Sequence, residues 1–164
     1  MKKLILQFFD YHSWANNQLI DHLSKLPKEI IHKEVNSVFP SISQTFAHMY
    51  AVDKLWFLRV SGKSVNSIEA QPFITTQEMN DAFTYLHNEM LEFLNLIDDL
   101  EQPVIYTNTK GEHFRNSIRE IIYHIVNHGT YHRGNIAAMI RQLGYQGIST
   151  DYIYYLGSVR IIGS

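Results

Sequence analysis

The most informative stretch of this chain is residues 117–143, SIREIIYHIVNHGTYHRGNIAAMIRQL. Its apolar side chains recur three and four residues apart, which is the spacing that lines one face of an α-helix. Ser117 and Glu120 form a capping-box pattern at its start, where the side chains satisfy the first free amides of a helix. Gly144 follows its end, where a helix commonly terminates. The stretch therefore predicts one long amphipathic helix.

Three further segments with helical apolar spacing precede this one, over 2–26, 41–61 and 75–101. The second and third also open with capping boxes, and Gly62 follows the second. The capping pairs are Ser41 with Gln44 and Thr75 with Glu78. Four long amphipathic segments joined by Pro- and Gly-containing connections predict an all-α protein built as a four-helix bundle.

Two shorter elements accompany the long segments. Residues 104–106 and 113–115 flank the turn residues 109–111, which predicts a short hairpin or loop before the last long helix. Residues 151–156 are rich in aromatic side chains, which predicts a short C-terminal helix that packs back on the bundle. With no repeat and no low-complexity stretch, residues 1–164 are predicted to form a single domain.

The composition narrows the class of protein. Hydrophobic residues make up 45% of the 164 residues and charged residues 18%, which supports a folded core and argues against disorder. A formal net charge of -2 excludes the strongly basic surface that binds nucleic acid or anionic membranes. The absence of cysteine excludes disulfides, thiolate metal sites and a cysteine nucleophile. No apolar run approaches the ~18 residues that span a bilayer, so we expect a soluble, cytoplasmic protein.

The chain contains nine histidines, and their placement on the last long segment is informative. On a helical wheel at ~100° per residue, His132 lies inside the apolar arc and His128 lies at its edge. His124 lies about 40° further towards solvent. Two inward imidazoles one turn apart can reach one metal ion. The spacing alone does not distinguish a metal-binding pair from a hydrogen-bonded pair in the core, because such pairs also arise by chance in a histidine-rich chain.

A metal site needs at least one more ligand, and the second long segment offers two candidates. His48 lies about 40° outside the apolar arc of that segment, so the wheel supports it only weakly. Asp53 lies within the arc, which is unusual for a carboxylate. It can accept a hydrogen bond from a buried donor such as Trp56 or Tyr123, or it can orient a ligating imidazole. The other histidines are predicted to be solvated or to lie in connections, namely His12, His22, His32, His87 and His113.

Four motifs together are similar to those of one superfamily. NHGTYHRGN, residues 127–135, resembles the NH-x-x-YHRG-Q/N segment of the DinB/YfiT-like metalloproteins. His48 with residues 53–56 resembles the H-x4-D-x-x-W pattern of their second helix. Residues 11–16, YHSWAN, are similar to their Y-N-x-W-A-N signature, and residues 147–152, GISTDY, resemble their closing G-x-x-TDY stretch. The matches follow the expected order along nearly the whole chain.

The resemblance implies an up-down-down-up four-helix bundle that is often a homodimer. It also implies a divalent metal ion held by His48, His128 and His132. The superfamily is the damage-inducible helical bundle and not the translesion DNA polymerase that shares its name. This chain departs from the pattern at His12, where the superfamily usually has Asn. Zinc is the leading expectation, with nickel, iron and manganese as alternatives, because imidazole suits several metals.

The resemblance points to thiol-dependent transferases and isomerases that use bacillithiol or mycothiol, and so to a small-molecule thiol as the partner. Three neutral imidazoles leave a divalent ion charged and open to such a ligand. One alternative is a metal-dependent hydrolase with Asp53 or Tyr50 as the general base. Another is a structural or sensory metal site, which would need His12, Asp53 or His124 as a fourth ligand. Arg133 is a candidate for holding an anionic substrate group or for a surface salt bridge.

Overall fold

The structure is a computed structural model that describes residues 2–159, and it is mostly helical. The helices are α1 (Lys2–Ser24), α2 (Ile42–Val60), α3 (Thr76–Leu96), α4 (Ile118–Gln142) and α5 (Tyr152–Val159), with a short 3-10 helix at Lys28–His32. The two strands are β1 (Pro103–Thr107) and β2 (His113–Ser117). Mostly helical structure is confirmed, and the described residues add one small two-stranded sheet to it.

The side chains predicted to cap the long helices do so. The hydroxyls of Ser41, Thr75 and Ser117 each accept a hydrogen bond from the backbone N–H three residues later. Only Ser117 forms the complete capping box, in which the Glu120 carboxylate accepts from the Ser117 backbone N–H. Gly62 adopts a φ of 83° beyond the end of α2, a conformation that costs little only for glycine.

Helix α3 ends five residues earlier than the sequence predicts, at Leu96 rather than at residue 101. Ile97 adopts an extended conformation, and the Lys2 ammonium donates to the carbonyl oxygens of Asn95, at 2.8 Å, and of Ile97. A cation at the C-terminal end stabilises a helix through its dipole. If α3 continued, Asp98 and Asp99 would place negative charges at that end and destabilise it. The charge pattern after Leu96 therefore explains the earlier end.

The long helices pack so that α2 and α4 lie side by side. Helix α1 contacts α3 and α4, and α2 contacts α3 and α4. Within residues 2–159, two apolar clusters fill the interior. One of them surrounds Phe9 and Ile122, and the other surrounds Phe46 and Met139. The contact between α2 and α4 brings the second and fourth segments of the sequence together, which positions the histidines discussed below.

The predicted hairpin and C-terminal helix are both present. Strands β1 and β2 pair antiparallel, with Val104 opposite Asn116, and Gly111 in the turn has a φ of 82°. The Arg59 guanidinium fastens this hairpin to α2, because it donates to the Thr107 carbonyl oxygen at 3.1 Å. Helix α5 packs back through Tyr155, whose hydroxyl donates to the Asp10 carboxylate at 2.6 Å. Within residues 2–159, every helix is too short or too polar to cross a membrane.

Candidate metal centre

Three histidine side chains from two helices meet between α2 and α4. The Nε2 atom of His128 lies 3.0 Å from Nε2 of His48 and 3.1 Å from Nε2 of His132. His128 and His132 stand one turn apart on α4, which places both imidazoles on the same side of the helix. His48 reaches them from α2, although its wheel position supported it only weakly. The structure therefore brings together the three histidines that the sequence predicts as metal ligands.

The cluster is open on one side and bordered by aromatic rings. His132 is 4% exposed, whereas His48 and His128 are half-buried. The Phe39 ring lies 4.7 Å from the His48 ring, and the Tyr131 ring lies 4.9 Å from the His132 ring, measured between centroids. A small ligand can therefore approach the cluster from solvent without a rearrangement of the core.

The hydrogen bonding of the cluster fits a metal ion. Nε2 of His128 carries at most one proton, so it can donate to only one of the two Nε2 atoms close to it. A divalent ion instead accepts a lone pair from all three nitrogens at once. The Nδ1 atoms of His128 and His132 are buried without a hydrogen-bond partner among the described residues. The feature that matches a set of metal ligands is therefore the meeting of the three Nε2 atoms, and not the surroundings of the Nδ1 atoms.

All three imidazoles are held neutral, which is the form that binds metal. Burial and, to a smaller extent, the neighbouring His132 and His48 lower the pKa of His128 to about 3. Burial and His48 lower the pKa of His132 to about 4. Burial also lowers the pKa of His48, against a smaller opposing effect of the Asp53 charge. The nitrogen lone pairs are therefore available at neutral pH.

Comparison with known proteins agrees with the motifs that form this cluster. The model of the DinB family matches residues 1–159. The chain belongs to the DinB family. Protein DinB of Bacillus subtilis (strain 168) is 38% identical over 164 residues, which cover 95% of each chain. The uncharacterized protein YizA of the same strain is 21% identical over 159 residues, which cover 91% of this chain and 94% of YizA.

The fold of this DinB-family chain is also similar to a solved structure. A crystal structure of a DinB-like protein from Bacillus cereus superposes with a TM-score of 0.69 at 16% sequence identity. The superposition covers 88% of this chain and 94% of that one. The family resemblance that the sequence motifs indicated is thus confirmed, and the fold is DinB-like.

His124 lies outside the cluster of this DinB-family chain, as the helical wheel predicts. Its side chain is exposed, and its ring packs 5.3 Å from Trp56 and 5.8 Å from His128. It does not join the group of nitrogens formed by the other three histidines. The position one turn before His128 leaves it at the rim, next to the open side.

Asp53 is a partner for buried donors, which is one of its two sequence-based alternatives, but the donors differ from the two suggested. Asp53 is fully buried, as predicted, but its Oδ2 accepts hydrogen bonds from His12, at 2.9 Å, and from His87, at 3.1 Å. Neither Trp56 nor Tyr123 donates to it, and no hydrogen bond to one of the three clustered histidines is present. Burial by itself would raise the Asp53 pKa, but electrostatic attraction and N–H donation by His12 and His87 lower it well below its usual range.

Two predictions of exposed histidines are wrong. His12 is 0% exposed and His87 is 3% exposed, although both are predicted from sequence to be solvated or in connections. The reason is Asp53, because a buried carboxylate needs donors, and these two imidazoles supply them. His12, Asp53 and His87 therefore form a second buried group, not predicted from the sequence, that joins α1, α2 and α3.

The surface salt bridge predicted as one role of Arg133 is also wrong. Arg133 is 2% exposed and contacts no carboxylate among the described residues. Its guanidinium donates to Asn16 Oδ1 at 2.9 Å and to the Thr130 hydroxyl at 2.9 Å, and it lies over the Tyr11 ring. A side chain enclosed in this way is not placed to hold an anionic substrate group at the open side of the cluster.

Proposed function

We propose that this DinB-family chain binds one divalent metal ion through His48, His128 and His132 and acts as a metal-dependent enzyme. The observation that carries the proposal is the convergence of three Nε2 atoms at a place partly open to solvent. Among residues 2–159, no carboxylate and no fourth histidine joins this group. Structural zinc sites normally have four protein ligands, so three ligands and an open side favour a catalytic site over a structural one.

The donor set fits zinc best among common divalent ions, with nickel, iron and manganese as alternatives. When bound, such an ion polarises a substrate carbonyl or lowers the pKa of a coordinated thiol. The chain itself supplies neutral imidazoles held in fixed positions, and the Phe39 and Tyr131 rings provide apolar surface beside them. A substrate that combines a metal-binding atom with an apolar part suits these surroundings.

Thiol-dependent transfer is the chemistry we propose, with a low-molecular-weight thiol as co-substrate. The chain has no cysteine, so the sulfur nucleophile comes from the bound thiol. Hydrolysis is less well supported, because neither candidate base is placed for it. Asp53 is enclosed and already accepts from two imidazoles, and Tyr50 packs against the Phe73 and Phe83 rings.

The proposal extends to assembly and location. We propose an up-down-down-up bundle, supported by two antiparallel contacts, because the start of α1 meets the end of α3 at Lys2 and Asn95, and the start of α2 meets the end of α4 at Thr45 and Met139. We also propose a homodimer, supported by exposed apolar side chains such as Ile153, which is 68% exposed, and Tyr154, which is 58% exposed. The cytoplasmic location expected from the sequence stays part of the proposal. Light scattering coupled to size-exclusion chromatography decides between this dimer and a monomer.

A cobalt-substituted protein tests the thiol chemistry directly. We expect that addition of N-acetylcysteine to the Co²⁺-loaded protein produces a sulfur-to-cobalt charge-transfer absorption. Since the chain has no cysteine, a thiolate signal has no internal source. His124→Ala is the control that should retain the absorption, and His128→Ala should lose it together with the metal. Bound cobalt without any spectral response to the thiol would contradict the proposed co-substrate.

A further inference from the structure

A second buried polar group takes one residue from each of the four long helices. His12 of α1, Asp53 of α2, His87 of α3 and Arg133 of α4 are each 3% exposed or less. Asp53 Oδ2 lies 2.9 Å from His12 Nε2 and 3.1 Å from His87 Nε2. By distance alone, His12, Asp53 and His87 resemble a metal site as closely as the three clustered histidines do.

Arg133 fixes where the protons of this group lie. Its NH1 atom lies 3.2 Å from Nδ1 of His12, and a guanidinium can only donate, so Nδ1 accepts and carries no proton. The proton of the neutral His12 ring is therefore on Nε2, from which it is donated to Asp53. Asn16 Nδ2 lies 3.2 Å from the same Nε2, a longer contact than the one to the carboxylate.

This proton arrangement does not suit a metal ion. A metal would need the lone pair of His12 Nε2, and the displaced proton would move to Nδ1, where it would face the N–H of Arg133. The hydrogen-bonded arrangement instead pairs the charges of Asp53 and Arg133 through a neutral imidazole. Buried charges persist when they are paired and hydrogen-bonded, and this network pairs both charges through Asp53 Oδ2, although Asp53 Oδ1, His87 Nδ1 and Arg133 Nε have no hydrogen-bond partner among the described residues.

Helix α4 approaches this network because residue 129 has no side chain. A Cβ atom added to Gly129 would clash with Cε1 of His12 and would lie 2.5 Å from its Nδ1 and 2.8 Å from NH1 of Arg133. Gly129 directly follows His128 in the sequence and lies in the turn between the two histidines of α4. The contact of His12 with Gly129 therefore determines how closely that turn lies against α1.

We propose that His12, Asp53, His87 and Arg133 form a positioning network, and not a second metal site, that sets the turn of α4 carrying His128 and His132 opposite His48. This inference rests on the proposed metal centre, whose ligands the network positions without touching the ion. Loss of outer groups that orient metal ligands typically lowers metal affinity by about 10- to 100-fold.

Two glycines of α4 allow a matched test. Gly129→Ala pushes against His12, whereas Gly134→Ala adds its methyl group where nothing lies within 4 Å. Alanine favours a helix over glycine at both positions, so propensity does not distinguish them. We expect Gly129→Ala to bind Zn²⁺ at least about 10-fold more weakly in a chelator competition, and Gly134→Ala to bind it like the wild type. Equal affinity of two folded variants would overturn the positioning role.

Further variants keep the test valid if Gly129→Ala fails to fold. His12→Ala in the Gly129→Ala background removes the ring that the new methyl group meets most closely and leaves room for the end of the Arg133 side chain to move aside, so the double variant should match His12→Ala alone. Asp53→Asn keeps the side-chain shape and removes the charge, and it should also weaken Zn²⁺ binding. A double variant much weaker than His12→Ala, or an Asp53→Asn protein with wild-type affinity, would contradict the network.

Nitrogen-15 NMR of the imidazole rings separates the two proposals. We expect His12 and His87 to keep a proton on Nε2 when one equivalent of Zn²⁺ binds, while the Nε2 signals of the three clustered histidines shift. Two ions per chain, or loss of the Nε2 proton of His12, would overturn the hydrogen-bonded network. No ion in the wild type would overturn the proposed metal centre and the positioning role with it. In that case, the position of the proton on the His12 ring of the metal-free protein would still test the hydrogen-bonded network, which requires it on Nε2.

Discussion

The Nε2 atom of His48 on α2 lies 3.0 Å from the Nε2 atom of His128 on α4. Eighty residues separate these side chains in the sequence, and they meet only when the two helices pack together. A metal ion held between them links helices that the chain connects through α3 and the hairpin. Metal binding and stability of the fold should therefore be coupled, since an ion that binds only the folded state stabilises it.

The His48→Ala variant tests this coupling. Zn²⁺ should raise the unfolding temperature of the wild-type protein, because a ligand at about 100 times its Kd contributes about 2.7 kcal/mol to the free energy of unfolding. His48→Ala removes the ligand from α2 and should abolish the rise. His124→Ala, at the rim of the cluster, should preserve it. A scanning calorimetry experiment with and without Zn²⁺ measures both variants, and equal loss in the two would contradict the proposed ligand set.

Metal binding should persist in mild acid. An imidazole with an ordinary pKa of about 6.5 would lose its metal as the pH falls through about 6. In this cluster, burial lowers the pKa of His128 to about 3 and that of His132 to about 4, so protons compete less effectively for the nitrogens. We expect most of the metal to remain after dialysis at pH ~5.5. Half-loss near pH 6.5 would show that these imidazoles titrate like free histidine.

Removal of the Asp53 carboxylate should strongly destabilise the protein. Asp53→Ala leaves two buried imidazole N–H groups without an acceptor and the Arg133 charge without its counter-charge. Breaking a buried charged network of this kind costs about 3–5 kcal/mol in the free energy of unfolding. Asp21→Ala is the control, since its ion pair with Lys25 is exposed and contributes little. Urea denaturation compares them, and similar losses in both variants would contradict the network.

The metal-free protein should lose stability as the pH falls, partly because of His12. Burial lowers the folded-state pKa of His12 to about 4, whereas an unfolded histidine titrates near about 6.5. Between these values the unfolded chain takes up a proton that the folded chain does not, so the free energy of unfolding decreases. His12 alone contributes a loss of about 2 kcal/mol between pH ~7 and pH ~5.

The His12→Asn variant isolates that contribution. Asparagine does not titrate, so the metal-free variant should lose less stability than the wild type between pH ~7 and pH ~5. Urea denaturation at the two pH values gives the difference for each protein. The same decrease in both proteins would show that His12 is not a buried neutral imidazole.

Much of the fold could be predicted from the sequence because its signals are local. The caps at Ser41, Thr75 and Ser117 and the glycines after α2 and α4 each depend on a few neighbouring residues. The inward positions of His128 and His132 likewise follow from the wheel of a single helix. His48 could not be assigned from its own helix, because its role depends on how α2 is rotated against α4.

The buried network could be predicted only in part from the sequence. At ~100° per residue, His87 lies about 20° from Leu94 on α3, and His12 lies about 20° from Leu19 on α1. The same wheel argument that identified His132 therefore places both among buried apolar positions. Their shared partner Asp53 could not be predicted, since three helices must pack before the contact exists. The close approach of the His12 ring to Gly129 depends on the same packing of helices.

The metal content of the purified protein tests the central claim most directly. We predict about one divalent ion per chain in the tag-free wild type by elemental analysis, and none in His132→Ala. His124→Ala, purified in parallel, should match the wild type. The absence of metal from the wild type, even after reconstitution with Zn²⁺ and removal of excess ion, would contradict a metal centre at His48, His128 and His132.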